Sequence, residues 1–212
     1  IVQVPFPNAF YYGWADESRP DYDDDACFTQ FLAALDARDI RYDSIAGVMS
    51  ETFQGAWAQL MPKGFAQRLR RFCDAHDIVM AFDEVQAGFG RTGKLFGFMH
   101  AGVVPDLVCC GKGVSSSLPL SCVLGRADIM DALGPNVMTS THSGNPVCAA
   151  AALANIDYIV EKGLSERAAA LEPLCRQRLL RMRERHPHTI GWVGGTGLAF
   201  ALLPVKPGTK DM

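Results

Sequence analysis

Two apolar runs in this chain end in opposite charges. Ile78-Val79-Met80-Ala81-Phe82 leads into Asp83-Glu84-Val85-Gln86, and Leu107-Val108-Cys109-Cys110 leads into Gly111-Lys112-Gly113. Short, continuous apolar runs are the pattern of strands buried on both faces of a sheet. An unpaired charge inside such a sheet is costly, so each charge belongs at a strand end. That requirement narrows the fold. The two strands can share one sheet, carrying the carboxylate and the amine to the same edge.

The rest of the chain supplies the helices such a sheet needs. Ile45-Ala46-Gly47-Val48-Met49 reads as a short strand ending at Ser50-Glu51, and Leu120 to Leu124 as another. Helical spacing runs from Phe28 to Leu35, from about Pro62 (a first-turn residue) to His76, and from Ala127 to Leu133. Two longer helices follow, Asn145 to Ile159 with Pro146 in its first turn and Ser165 to Arg185 with Pro173 as a kink or break. Thr189 to Leu203 reads as paired strands with Gly194, Gly195 and Gly197 at bends. Pro5 and Pro7 make Ile1 to Trp14 extended, and the acids Asp21 to Asp25 suit the positive end of the first helix. Strands alternating with helices predict an α/β fold, a mainly parallel sheet with helices on both faces. Ligands of such sheets sit outside the carboxyl ends of the strands, where Glu51, Asp83 and Lys112 fall.

A carboxylate and a lysine at one sheet edge are the pair that pyridoxal phosphate chemistry requires. The acid keeps the pyridine nitrogen protonated, and the amine condenses with the aldehyde. Taken singly, Asp83 reads equally as a helix cap or a partner of Arg91, and Lys112 as a loop lysine. Taken together, with a glycine-rich loop between them, they favour the functional reading. That loop, Gly88-Phe89-Gly90-Arg91-Thr92-Gly93-Lys94, has the glycine and lysine spacing of a phosphate-binding P-loop, but Leu95 stands where a magnesium-holding hydroxyl is needed. Thr139 to Pro146 enters the long helix, where hydroxyls and amides suit either a phosphate or simple capping by Ser143 or Asn145. Ser115-Ser116-Ser117 reads as a flexible turn.

Composition removes other classes. The 212 residues are 49% hydrophobic and 20% charged with a net charge of −3, so nothing draws the chain to nucleic acid or an anionic membrane. The arginines from Arg176 to Arg185 read as a solvated helix face. Seven cysteines, none in a C-x-x-C pair, and five histidines without ligand spacing argue for reduced thiols and against a metal site. No apolar stretch is long enough to span a membrane, and the first residues lack a signal-peptide pattern, so a cytoplasmic location is expected.

The motifs resemble those of the class III aminotransferases, fold type I pyridoxal-phosphate enzymes of the ornithine, 4-aminobutyrate and omega type. The matching stretches are Phe82 to Lys94, Pro105-Asp106-Leu107, Gly111-Lys112-Gly113 with Leu118-Pro119-Leu120, and Thr141 to Pro146, with a weaker match over Ile1 to Tyr12. The resemblance implies roles. Lys112 forms the Schiff base and shuttles the proton, and Asp83 pairs with the pyridinium nitrogen. Val85 packs on a ring face, and Gln86 bonds near the phenolic oxygen. Thr141 binds the phosphate across a homodimer interface, and Glu51 lines the substrate pocket. Glu84, next to Asp83 on the strand, points the other way and reads as structural. The implied reaction is transfer of an amino group between an amine or amino acid and a keto acid. Decarboxylase, racemase and aminomutase chemistry use the same lysine.

Departures from the family pattern bear on the substrate. Thr52 follows Glu51 where proline is usual, Gly55-Ala56-Trp57 replaces a more glycine-rich run, and Cys110 precedes the lysine's glycine. Ser115 to Ser117 replace glycines, His142 is unusual, and Gly194 to Leu198 lacks its arginine. Family members also extend further at both ends. Residues 1–160 are therefore expected to be part of the cofactor-binding large domain, and 161–212 connecting helices and the start of a small domain. A truncated, non-catalytic dimerisation module is the rival expectation.

Overall fold

The computed structural model describes residues 1–7 and 24–206. The expectations for Asn8 to Trp14 and for the acids Asp21 to Asp25 as caps lie outside the described residues and side chains. Residues 1–7 take neither helix nor strand. Four strands make the main sheet: β1 (Gly47–Glu51), β4 (Val79–Asp83), β5 (Leu107–Cys110) and β6 (Cys122–Gly125), in the order β1-β4-β5-β6. The first three are parallel, and β6 returns antiparallel to β5. The fold is α/β with a mixed, mostly parallel sheet. A small hairpin, β2 (Phe53–Gln54) with β3 (Gln59–Leu60), follows β1.

One sheet face carries helices α1 (Asp24–Asp36) and α2 (Lys63–Ala75). In α2, Phe65, Ala66, Leu69, Phe72 and Cys73 recur at helical spacing and are buried, with Pro62 capping the helix from just outside it. They meet Cys27, Phe31 and Leu35 of α1 and the inward residues Met80 and Phe82 of β4 in one core. Phe31 packs edge-on against Phe65 and Phe72, with ring centroids 6.2 and 5.6 Å away. Each such side chain removed from water contributes about 1.5–3 kcal/mol.

Asp106 locks the start of β5. Its carboxylate accepts from Met80 N–H at 2.8 Å, Arg70 Nη1 at 2.9 Å and Arg126 Nη1 at 3.0 Å. Next come α3 (Ala127–Met130), shorter than its sequence pattern, and α4 (Pro146–Glu161). Helix α5 (Leu164–Arg185) contains Pro173 without being broken by it. The chain closes with the hairpin β7 (Ile190–Thr196) and β8 (Ala199–Pro204). All seven cysteines are free thiols. Among the described residues, no helix is long and apolar enough to cross a membrane, and no cluster of side chains could hold a metal ion.

Candidate active site

Strands β1, β4 and β5 end at the same edge, and the last residues of β1 and β4 are in register with each other and with the penultimate residue of β5. Glu51 pairs with Asp83, and Asp83 with Cys109. In-register neighbours share a face, so these three form a row on the side opposite the α1–α2 core. Asp83 is half-buried, and its Oδ1 accepts the Val85 N–H at 2.9 Å, leaving Oδ2 for an outside donor. Glu51 Oε2 accepts the Gly55 N–H at 2.9 Å. The ion pair with Arg91 allowed by the sequence is not formed: among the described residues Asp83 is tied by its own turn, and Arg91 is exposed. A cleft of about 570 Å³ beside β1 has Glu51, Gln54 and Asp83 among its lining residues, together with Gln3, Val4 and Phe6.

Lys112 stands just past β5, exposed, at the start of a single 3-10 turn, Lys112–Val114. Its φ of 39° is in the left-handed region, which costs a non-glycine residue about 1–3 kcal/mol and persists only where neighbours impose it. The neighbours are visible. Asn155 Nδ2 of α4 donates to Gly113 O at 2.7 Å and Val114 O at 3.1 Å, and Val114 and Ser115 are buried behind the lysine.

The loop after Asp83 nests on this turn. A β carbon on Gly111 would lie 3.2 Å from Val85 Cγ1, and one on Gly113 3.3 Å from Phe89 Cβ. Gln86 sits against Gly55, whose β carbon would be 3.4 Å from Gln86 Cγ. The structure thus brings Glu51, Asp83, Val85, Gln86 and Lys112 to one edge. Thr141 is not among them. It lies exposed in a turn where Ser143 Oγ donates to Ser140 O at 2.7 Å. Capping of α4 falls to Asn145, whose Oδ1 accepts from Val147 and Cys148 N–H.

Glu84 points away from Asp83 into the protein and is 0% exposed. Burial raises its pKa, opposed by Thr52, Gly97 and Phe98, which donate to it. The Cys109 thiol is also raised, by burial and by the Asp83 charge, so it stays protonated beside that acid. Burial and the Cys122 thiol push Cys110 up to about 12. Sequence reasoning gave no role to Thr52, Asn155 or the Gly111–Val85 contact. A lone amide within the Ala-rich α4 run was the available signal for Asn155.

The class III aminotransferase family model (Aminotransferase class-III) matches residues 4–211. The chain belongs to the class III aminotransferases. It is 42% identical over 170 residues to a 4-aminobutyrate aminotransferase of Mycobacterium leprae, covering 80% of this chain and 38% of that protein. It is 37% identical to a leucine/methionine racemase of Thermococcus litoralis, covering 97% of this chain and 46% of that one. Among solved structures, taurine:2-oxoglutarate aminotransferase from Bifidobacterium kashiwanohense, in complex with PLP and glutamate, superposes with a TM-score of 0.84 at 31% identity, covering 99% and 47% of the two chains. This class III chain spans less than half the length of each of these three proteins.

Proposed function

We propose that this chain is the catalytic-lysine portion of a pyridoxal-phosphate-dependent aminotransferase, which moves an amino group between an amine or amino acid and a keto acid. The observation that carries the reading is the shared sheet edge: β4 and β5 run parallel, and the loops after them, with Asp83 and Lys112, interlock through Val85 and Gly111. The residues present fit one end of the cofactor. Asp83 Oδ2 is available to accept from a pyridinium N–H, Val85 offers an apolar contact, and Gln86 an amide donor. The cofactor supplies an electron sink for a substrate carbanion. Lys112 Nζ presents the amine and moves the proton, and Glu51 lines the substrate side. Thr141 serves the phosphate from its exposed turn, in a cytoplasmic homodimer. Residues 1–160 are assigned to the large domain and 161–212 to connecting helices and the start of the small one.

The test is an absorbance titration of the chain with pyridoxal phosphate, wild type against Lys112→Ala, followed by borohydride reduction and peptide mass mapping. A dialysis-resistant band fixed on Lys112 and lost in the variant supports the proposal. Label spread over surface lysines would refute it.

The similarity to a leucine/methionine racemase favours a second reading, racemisation at the same lysine. Chiral analysis of an amino acid incubated without keto acid separates the two. Inversion with no acceptor present selects the racemase.

A further inference from the structure

Glu84 is a carboxylate with no exposed surface, and no ion pair reaches it among the described residues. Three neutral donors converge on it instead. Thr52 Oγ1 donates to Oε1 at 2.6 Å, Phe98 N–H to Oε1 at 3.0 Å, and Gly97 N–H to Oε2 at 2.7 Å. A buried charge held only by dipoles is expensive, and an apolar residue of similar size often serves stability as well. Its position explains what it does. The Glu84 N–H donates to Cys109 O of β5 at 2.9 Å, and its carbonyl accepts from Gly88 N–H at 2.8 Å. Side chain, N–H and C=O are all pinned, so the peptide path from Asp83 to Val85 is fixed on both sides. The Asp83 carboxylate bonds across that path, to Val85 N–H. Thr52 itself is 2% exposed, and a β carbon on Gly97 would overlap its hydroxyl, so the donor has no room to move.

We propose that Glu84 and Thr52 are positioning residues for Asp83: the Thr52 hydroxyl anchors the Glu84 carboxylate, Glu84 fixes the 83–85 turn, and the turn sets the direction of the free Asp83 oxygen. This deepens the cofactor assignment above and rests on it for its consequence, while the geometric part stands on the unliganded chain. Proline at position 52 could not donate this bond.

The test uses the whole chain with Thr52→Val, which keeps the shape and removes the donor, and Thr52→Ser, which restores it. Amide exchange followed by NMR reads the turn without cofactor. In Thr52→Val the Val85 amide, which bonds to Asp83, exchanges about tenfold faster, while Met80 and Val108 in the sheet keep their rates and Thr52→Ser stays near wild type. A uniform rise across the sheet, or an unchanged Val85 amide, overturns the proposal. The second arm is pyridoxal phosphate affinity. A loss of about tenfold in Thr52→Val that is absent in an Asp83→Asn background ties the anchor to Asp83. Equal losses in both backgrounds overturn it. If wild type binds no cofactor but the Val85 amide responds, the cofactor assignment fails and the anchoring of Asp83 holds.

Discussion

Glu51 and Asp83 stand side by side as register partners at the ends of β1 and β4, and each spends one carboxylate oxygen on a backbone N–H just ahead of it. The turns differ, and so do the expected roles. Glu51 bonds to Gly55, at the mouth of the small β2–β3 hairpin, whereas Asp83 bonds to Val85, whose side chain touches the lysine loop. On the assignment proposed above, Asp83→Asn removes the charge that would face a pyridinium N–H. It is expected to weaken pyridoxal phosphate binding by roughly 1.5–3 kcal/mol, or tenfold and more. Glu51→Gln is expected to leave that affinity within about threefold, since it loses no cofactor-facing charge. Fluorescence titration of the two variants checks both.

Gly111 is extended, with φ −168°, so no backbone strain requires glycine there; the Val85 side chain does. Gly111→Ala is expected to cost about 1–3 kcal/mol through overpacking. In a Val85→Ala background the penalty should fall by at least half, because the Val85 methyls that stand in the way are gone. A double-mutant cycle in urea measures the coupling. An undiminished penalty would place the clash elsewhere.

The strands and helices that position this edge were legible because their apolar periods were clean. Leu107–Cys110 falls where its run predicts, and β4 ends on the acid that closes the run. The β2–β3 hairpin was not read, because two-residue strands leave no period to detect. Helix α5 passes through Pro173, where sequence rules allow a break, and tertiary packing against β7–β8 overrides the local preference. The placement of Asp83 and Lys112 at one sheet edge was readable from residue type at strand ends. The clamp around Glu84 was not, since Thr52, Gly97 and Phe98 are brought to it only by folding.

Asp106 should give the fold its acid sensitivity. Burial alone would raise its pKa. The Met80 N–H and the guanidiniums of Arg70 and Arg126 outweigh that and hold it below the usual carboxylate range. A lowered folded pKa gives stability that is present above the unfolded value, near ~4, and is lost as pH falls through the folded one. Asp106→Asn is therefore expected to lose about 2–3 kcal/mol at neutral pH. The gap to wild type should narrow as pH drops below ~4. Urea midpoints taken across that range decide the matter, and a constant gap would mean the loss is not electrostatic.

Glu172 ties α5 to the closing hairpin. Its Oε2 accepts Gly197 N–H at 2.6 Å and Thr196 Oγ1–H at 3.1 Å, while Oε1 takes Arg176 Nη2 at 2.9 Å. Burial pushes this carboxyl up, but Arg176, Gly197 and Thr196 together hold it below the ordinary range. Leu198 N–H in the same turn donates to Arg91 O at 3.0 Å, so the hairpin is joined to the glycine loop that follows Asp83. Glu172→Ala leaves the Gly197 N–H without its acceptor. The Gly197 and Leu198 amides are expected to exchange about tenfold faster, with new proteolytic cuts at this turn. Strands β4 and β5, held by the Asp106 cluster and the core, should keep their protection. Loss of protection in β4 as well would make the hairpin part of the same cooperative unit as the site.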